Sequence, residues 1–277
     1  MAATTLQQQE EPSRGARSSL SHTPYRSNAH VTWTKLAAYR MQRDYIKWWS
    51  PALGREMEVL CFGHAGTPLI AFPSSLGRFF EWEDFGMVRA LGHQLESGLN
   101  QLVCVDSVDA ESLYNRDVDP HTRIKRHHQY ERYVLDEAVP FVRNRTGNDF
   151  VIVAGASFGA YHALNFVLKQ PWQFGKLIAM SGSFDIRSRF DGFYSDDVYF
   201  SNPVDYLPNL NDEGTLNAIR ENRIILTTAE HDPCRDGNLH LSYLLTQKDV
   251  DHTVDYTPGA FGHDWPWWCD MIQKHIA

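Results

Sequence analysis

A short motif near the middle of the chain places a serine where it could act as a nucleophile. Residues 151–165 read VIVAGASFGAYHALN, and Gly155 to Gly159 spell G-x-S-x-G around Ser157. An apolar run precedes this serine and a helix-like run follows it, which is the setting in which a sharp strand-to-helix turn exposes a serine hydroxyl. A serine hydroxyl is a weak nucleophile unless a base removes its proton and a third group orients that base. Without both partners, the motif is only a turn of small residues.

The base is sought among the 13 histidines of the chain. In sheets of this type the acid and then the histidine follow the serine along the sequence, so histidines before Ser157 are excluded. We also set aside four later histidines, because they fall in helix patterns, at the opposite end of the last strand or near the terminus: His162, His240, His252 and His275. We select His263, which lies in the Gly-rich loop PGAFGHDWPWW between the last strand and the last helix. Asp264 beside it is expected to cap that helix.

The acid is expected just beyond the strand RIILTTA, in the segment AEHDPCRDG. Its candidates are Glu230, Asp232 and Asp236. We favour Asp232, because Glu230 is still close to the end of the strand and Asp236 belongs to the start of the next helix. The carboxylate would hold the imidazole in the correct tautomer and stabilise the imidazolium.

Acyl chemistry at Ser157 also needs hydrogen-bond donors for a developing oxyanion. One donor is expected to be the backbone N–H of Phe158, which follows the nucleophile. The second should come from the loop after an earlier strand, and FPSSLGRF (72–79) occupies that place. Ser75 is the first candidate there and Leu76 the second.

The elements that must position these residues alternate along the chain. Short apolar runs typical of strands buried on both faces are separated by amphipathic stretches, including 80–98 and 121–144, where Pro140 would break or kink the helix near its end. An antiparallel hairpin with a PALG turn precedes them. This order predicts an α/β fold with a mostly parallel sheet, an N-terminal antiparallel hairpin and helices on both faces, formed by one domain over 36–277.

Composition narrows the class of protein. The net charge is −8, and no long basic run is present, so nucleic acid is not expected as a partner. Residues 1–35 are polar and predict a disordered leader, and no apolar run is long enough to cross a membrane. The four cysteines lack metal-ligand spacing, and we expect neither a metal site nor another cofactor. A cytoplasmic location is the default expectation, and the oligomeric state stays open.

One connection is too long to be a simple link. Residues 186–222 are rich in aromatic, Asn, Asp and Pro residues and leave the carboxyl end of a strand, which favours a substrate cover over an ornamental loop. Residues that we expect to contact a substrate at this edge of the sheet are Leu76, Trp82, Tyr199 and Trp265.

Four segments together resemble a known family. GASFGAYHA, the Asp232 loop, GHDWPWW and FPSSLGRFFEWED are similar to the esterase family of the α/β-hydrolase fold that contains esterase D, enterochelin esterases, some feruloyl and acetylxylan esterases and the mycolyltransferases. The resemblance covers roughly residues 40 to 276 and is strongest around Ser157 and His263. It implies serine ester hydrolysis or acyl transfer without a metal or organic cofactor. The segment FPSSLGRF departs from the Gly-Leu of better-known members, which leaves Ser75 open.

The leading hypothesis is a serine carboxylic ester hydrolase that works through Ser157, His263 and Asp232 and an acyl-enzyme, on a small-molecule ester with a short acyl chain or an aryl group. An acyltransferase with the same three residues is a second hypothesis. The third is a binding protein that keeps the fold without catalysis.

Overall fold

Eight strands form one sheet in the order β1-β2-β4-β3-β5-β6-β7-β8. They are β1 Arg43–Ser50, β2 Arg55–Phe62, β3 Thr67–Phe72, β4 Asn100–Val105, β5 Ile152–Ala156, β6 Lys176–Met180, β7 Arg223–Ala229 and β8 His252–Thr257. The β1–β2 and β2–β4 pairs are antiparallel and the others are parallel. The computed structural model describes residues 41–277, and the predicted leader, residues 1–35, lies outside them. The predicted fold class is confirmed.

The helices connect the strands and cover both faces of the sheet. They are α1 Glu81–Asp84, α2 Met87–Ala90, α3 Gly92–Glu96, α4 Pro120–Arg132, α5 Val139–Thr146, α6 Phe158–Lys169, α7 Asp196–Tyr199, α8 Pro203–Tyr206, α9 Glu213–Arg220, α10 Arg235–Thr246 and α11 Trp265–His275. None of the helices in this part of the chain combines the length and apolarity needed to cross a bilayer.

Two apolar layers enclose the sheet because its central strands carry apolar side chains on both faces. All residues of β4, β5 and β6 are buried. One layer includes residues of α4, α5, α6 and α10, and the other includes residues of α1, α2, α3 and α11. Successive side chains of one strand therefore enter different layers, which fixes the register of the sheet.

Two predicted helices are interrupted. The stretch 80–98 forms three short helices, α1, α2 and α3, and Gly86 between the first two has a φ of 89°. The stretch 121–144 forms α4, a π-helical segment Tyr133–Ala138 and then α5, with Pro140 in the first turn of α5. A proline lacks the N–H that a continuous α-helix needs, and the wider π turn precedes it.

The long connection between β6 and β7 is folded onto the core. It contains α7, α8 and α9, and its side chains Phe190, Val198 and Leu207 are fully buried in the layer that contains α6. Its first turn, the 3₁₀ helix Arg187–Arg189, stays at the surface. We call residues 186–222 the cover segment.

Candidate active site

Ser157 lies at the junction between β5 and α6. Its backbone has φ 55° and ψ −114°, a region that residues other than glycine rarely adopt and that stores strain. The surrounding backbone holds it there: the Ser157 N–H donates to the Met180 carbonyl at 2.8 Å, and the Ser157 carbonyl accepts from Ser183 N–H at 3.1 Å. The turn therefore has the sharp geometry that the G-x-S-x-G motif predicts.

The two glycines of the motif permit this turn through close backbone approach. A Cβ atom on Gly155 would lie 2.2 Å from the Gly159 carbonyl, and one on Gly159 would lie 2.5 Å from the Pro73 carbonyl oxygen. These separations are far below a normal contact, so larger residues at either position would push the start of α6 away from β5 and β3.

Asp232 and His263 are in direct contact. Nδ1 of the imidazole lies 2.9 Å from Oδ1 of the carboxylate, and the Asp232 side chain is fully buried. Asp232 follows β7 and His263 follows β8, and the two strands are parallel with Ala229 opposite Thr257. Both residues therefore lie at the carboxyl edge of the sheet, where β5 also delivers Ser157.

Two further hydrogen-bonding groups hold the Asp232 carboxylate. The Cys234 N–H and the Thr228 hydroxyl each donate to it at 2.8 Å. Burial alone would raise the pKa of Asp232, but hydrogen bonds from His263, Cys234 and Thr228 outweigh it and keep that pKa below its ordinary value. The carboxyl group is therefore an anion that orients the imidazole.

The other acid candidates have different partners. Glu230 Oε2 accepts from the Gly259 N–H at 2.8 Å. Asp236 is exposed and pairs with Arg235. Among the three candidates for the acid, the structure brings only Asp232 to His263.

The protonation of His263 depends on two neighbours. Burial lowers the pKa of His263, but the hydrogen bond to Asp232 and the interaction with Cys234 outweigh it and raise the pKa to about 9.

Ligand atoms of Asp232, Cys234 and His263 lie within 4.8 Å of one another, which is the only such group of three found within residues 41–277. Oxygen, sulfur and nitrogen ligands in this arrangement suit a zinc ion, although the same atoms also fit an acid–base pair with a thiol beside it.

Ser181 and Trp268 are residues of the site that sequence reasoning missed. The Trp268 ring packs edge-on against the His263 ring with centroids 5.2 Å apart, and its Nε1 donates to Ser181 Oγ at 3.0 Å. The Ser181 hydroxyl in turn donates to the carbonyl of Gly262, next to His263. Only the position of Ser181 directly after β6, at the same edge as Ser157, offered a signal in the sequence.

The Ser157 hydroxyl makes no hydrogen bond to His263, or to any other residue in the part of the chain that the structure describes. Hydrogen bonds to neighbouring residues connect the two instead. The Ser157 N–H donates to the Met180 carbonyl, and the hydroxyl of the adjacent Ser181 donates to the Gly262 carbonyl, next to His263. Catalytic hydrogen bonds are often long in free enzymes and shorten when substrate is bound.

The loop after β3 offers a backbone donor at the same edge. No acceptor for the N–H groups of Ser75 and Phe158 occurs among residues 41–277, whereas Leu76 N–H donates to Asp109 Oδ2 at 3.3 Å. The Glu81 carboxylate fixes the loop by accepting from the N–H and the hydroxyl of Ser74 at 2.6 and 2.8 Å. Of the two candidates, Ser75 therefore has the uncommitted N–H.

The four expected substrate contacts have different placements. Leu76 is exposed beside Ser75. Trp82 is only 1% exposed and its indole donates to the Phe72 carbonyl, so its side chain is part of the core and we remove it from the substrate contacts. Tyr199 accepts a hydrogen bond from Asn209 within the cover segment. Trp265 stacks on Phe85 and lines a cleft of about 710 Å³ between α11 and α1–α2, and His263 is not among the residues that line that cleft.

Residues 50–276 match one protein family model, whose description is "Putative esterase". The chain belongs to this esterase family. The match spans every strand from β2 to β8 and the whole candidate site. This esterase has no match among curated protein sequences.

Solved structures of similar fold include other esterases. A ferulic acid esterase superposes with a TM-score of 0.71 at 18% identity, over 86% of this chain and 97% of its own. The S-formylglutathione hydrolase of Agrobacterium tumefaciens gives 0.67 at 14% identity, over 87% and 95%. That of Staphylococcus aureus gives 0.62 at 16% identity, over 86% and 95%. The esterase therefore has an α/β-hydrolase-type fold over nearly all its described length.

Proposed function

We propose that this esterase hydrolyses carboxylic esters with Ser157 as nucleophile, His263 as base and Asp232 as the acid that orients His263. The observation that carries the proposal is the 2.9 Å hydrogen bond between His263 Nδ1 and the buried Asp232 carboxylate, at the sheet edge where β5 presents Ser157. The family supports the reaction class.

The reaction follows from these roles. The Ser157 oxygen bonds to the acyl carbon while its proton passes to His263 Nε2, and the N–H groups of Phe158 and Ser75 hold the oxyanion. The intermediate then releases the alcohol, which takes the proton from His263. Water gives its proton to the same nitrogen and attacks the acyl-enzyme, so that the acid is released and Ser157 regains its proton.

The substrate is a small-molecule ester, with a short acyl chain or an aryl group as the proposed range. Leu76 is exposed next to Ser75, and the ring of Tyr114 packs on Phe158, so both offer apolar surface near the proposed oxyanion donors. The similar structures include a ferulic acid esterase and S-formylglutathione hydrolases, and these names also support a small acyl group on the substrate of this esterase. All four cysteines are free, which supports a cytoplasmic location.

The test uses covalent labelling and turnover together. Wild-type protein is expected to react with a fluorophosphonate probe and to hydrolyse 4-nitrophenyl esters, with an acyl-length optimum that measures the acyl pocket. Ser157→Ala should lose both the label and more than about 1,000-fold in kcat/KM. Ser188→Ala, a change at an exposed serine of the cover segment, is the control. Equal turnover by Ser157→Ala and wild type would refute the mechanism.

A further inference from the structure

The cover segment places a cation next to the nucleophile turn. The Arg189 guanidinium carbon lies 3.9 Å above the ring centroid of Tyr114 and 5.6 Å from that of Phe158, the residue after Ser157. The Tyr114 hydroxyl donates to Ser75 Oγ at 2.6 Å. Arg189 is therefore separated by one side chain from the loop that carries the proposed second oxyanion donor.

Tyr114 also contacts the nucleophile turn and interacts with a residue that borders His263. Its ring meets Phe158 edge-on with centroids 5.1 Å apart. Burial raises the pKa of Tyr114, the hydrogen bond with Ser75 and the charge of Arg189 lower it, and an electrostatic interaction with Cys234 adds to the rise. Cys234 also borders His263, so Tyr114 lies within electrostatic range of the acid–histidine pair.

Arg189 differs from the arginines around it in having no carboxylate partner. Arg116 and Arg123 both pair with Asp191, at 2.9 and 3.1 Å, and Arg187 pairs with Asp185. Across residues 41–277 the Arg189 guanidinium has a single hydrogen-bond acceptor, the neutral hydroxyl of Tyr114, at 2.7 Å. Most of its N–H donors are therefore uncommitted, and its charge is not neutralised.

The guanidinium is also held in place. The Arg189 carbonyl accepts a hydrogen bond from Arg123, whose side chain is only 3% exposed. Stacking on Tyr114 restricts the guanidinium plane itself. A fixed planar cation with free donors loses little entropy when it binds a carboxylate through two hydrogen bonds.

We propose that Arg189 selects esters that carry an anionic group, a carboxylate or a group of similar charge and shape, on the acyl or alcohol part near the scissile bond. The proposal rests on the function proposed above. The remaining donors of the guanidinium bind the anion. Tyr114 sets the distance between the guanidinium and the loop after β3 that carries Ser75. Electrostatic attraction also brings such esters to a protein whose net charge of −8 otherwise repels them.

Two matched pairs of esters test this selection. Mono-4-nitrophenyl adipate is compared with its methyl ester for an anion on the acyl part, and 4-acetoxybenzoate with methyl 4-acetoxybenzoate for an anion on the alcohol part. In at least one pair, wild-type kcat/KM is expected to be roughly 10-fold or more higher for the anion, as for a charge-assisted hydrogen bond. Arg189→Gln should bring that ratio to about one, and Arg189→Lys should keep part of it.

The control is Arg187→Gln, which removes the same charge from the same 3₁₀ turn at a residue already paired with Asp185. It should keep the anion ratio. A ratio near one for wild type in both pairs, an unchanged ratio in Arg189→Gln, or an equal loss in Arg187→Gln would each overturn the proposal for Arg189. Hydrolysis of the neutral esters and labelling of Ser157 in the same preparations report separately on the proposed function.

Discussion

The His263 imidazole and the Asp232 carboxylate, 31 residues apart in sequence, meet through a 2.9 Å hydrogen bond between Nδ1 and Oδ1. Each follows its own parallel strand, and the carboxylate is already held by Cys234 N–H and Thr228. The imidazole is thereby fixed with its other nitrogen directed away from the acid.

Asp232→Asn should lower kcat/KM by about 1,000- to 10,000-fold, because an amide in this position favours the wrong imidazole tautomer and does not stabilise the imidazolium. Steady-state kinetics with a 4-nitrophenyl ester measures the loss, and circular dichroism checks the fold. Asp236→Asn, at an exposed residue four positions along, is the matched control and should stay within about twofold of wild type. Comparable losses in both variants would contradict the assignment.

The activity should depend on pH through His263. The imidazole must be neutral to take the Ser157 proton, and its pKa is raised to about 9. Below that pH it is protonated and cannot act as a base, so kcat/KM should rise as the pH passes through about 9 and level off above it. A pH–rate profile measures the midpoint. A midpoint near 6.5, the ordinary pKa of histidine, would show that Asp232 and Cys234 do not stabilise the imidazolium.

Replacing Cys234 should move that midpoint to lower pH. The Cys234 side chain is among the groups that raise the pKa of His263, so its removal in Cys234→Ala makes the imidazolium less stable. Cys269→Ala is the control, because that thiol contacts the Phe85 carbonyl and is not among the groups that shift the pKa of His263. The pH–rate profiles of both variants are compared with wild type. An unmoved midpoint in Cys234→Ala would exclude the thiol as a cause of the shift.

Gly159→Ala should destabilise the fold by about 1–3 kcal/mol, since the added Cβ would lie 2.5 Å from the Pro73 carbonyl oxygen and force α6 away from β3. Chemical denaturation measures the free energy of unfolding. Gly237→Ala, in α10, is the matched control because no atom lies within 4 Å of its added Cβ. That variant should gain about 0.5–1 kcal/mol from helix propensity. Destabilisation of equal size in both variants would count against close packing at Gly159.

The sequence by itself determined the order of strands and helices and the chemical types at the site. Buried strands need apolar side chains on both faces, and a strand-to-helix turn needs small residues, so both leave local patterns around Ser157, Asp232 and His263. Side chains that meet from distant segments leave no such pattern. Only the tertiary structure brought Ser181 and Trp268, 87 residues apart, to the His263 loop, buried Trp82 in the core and set Arg189 over Tyr114. Those contacts depend on how helices and loops pack across the sheet, which spacing along the chain does not specify.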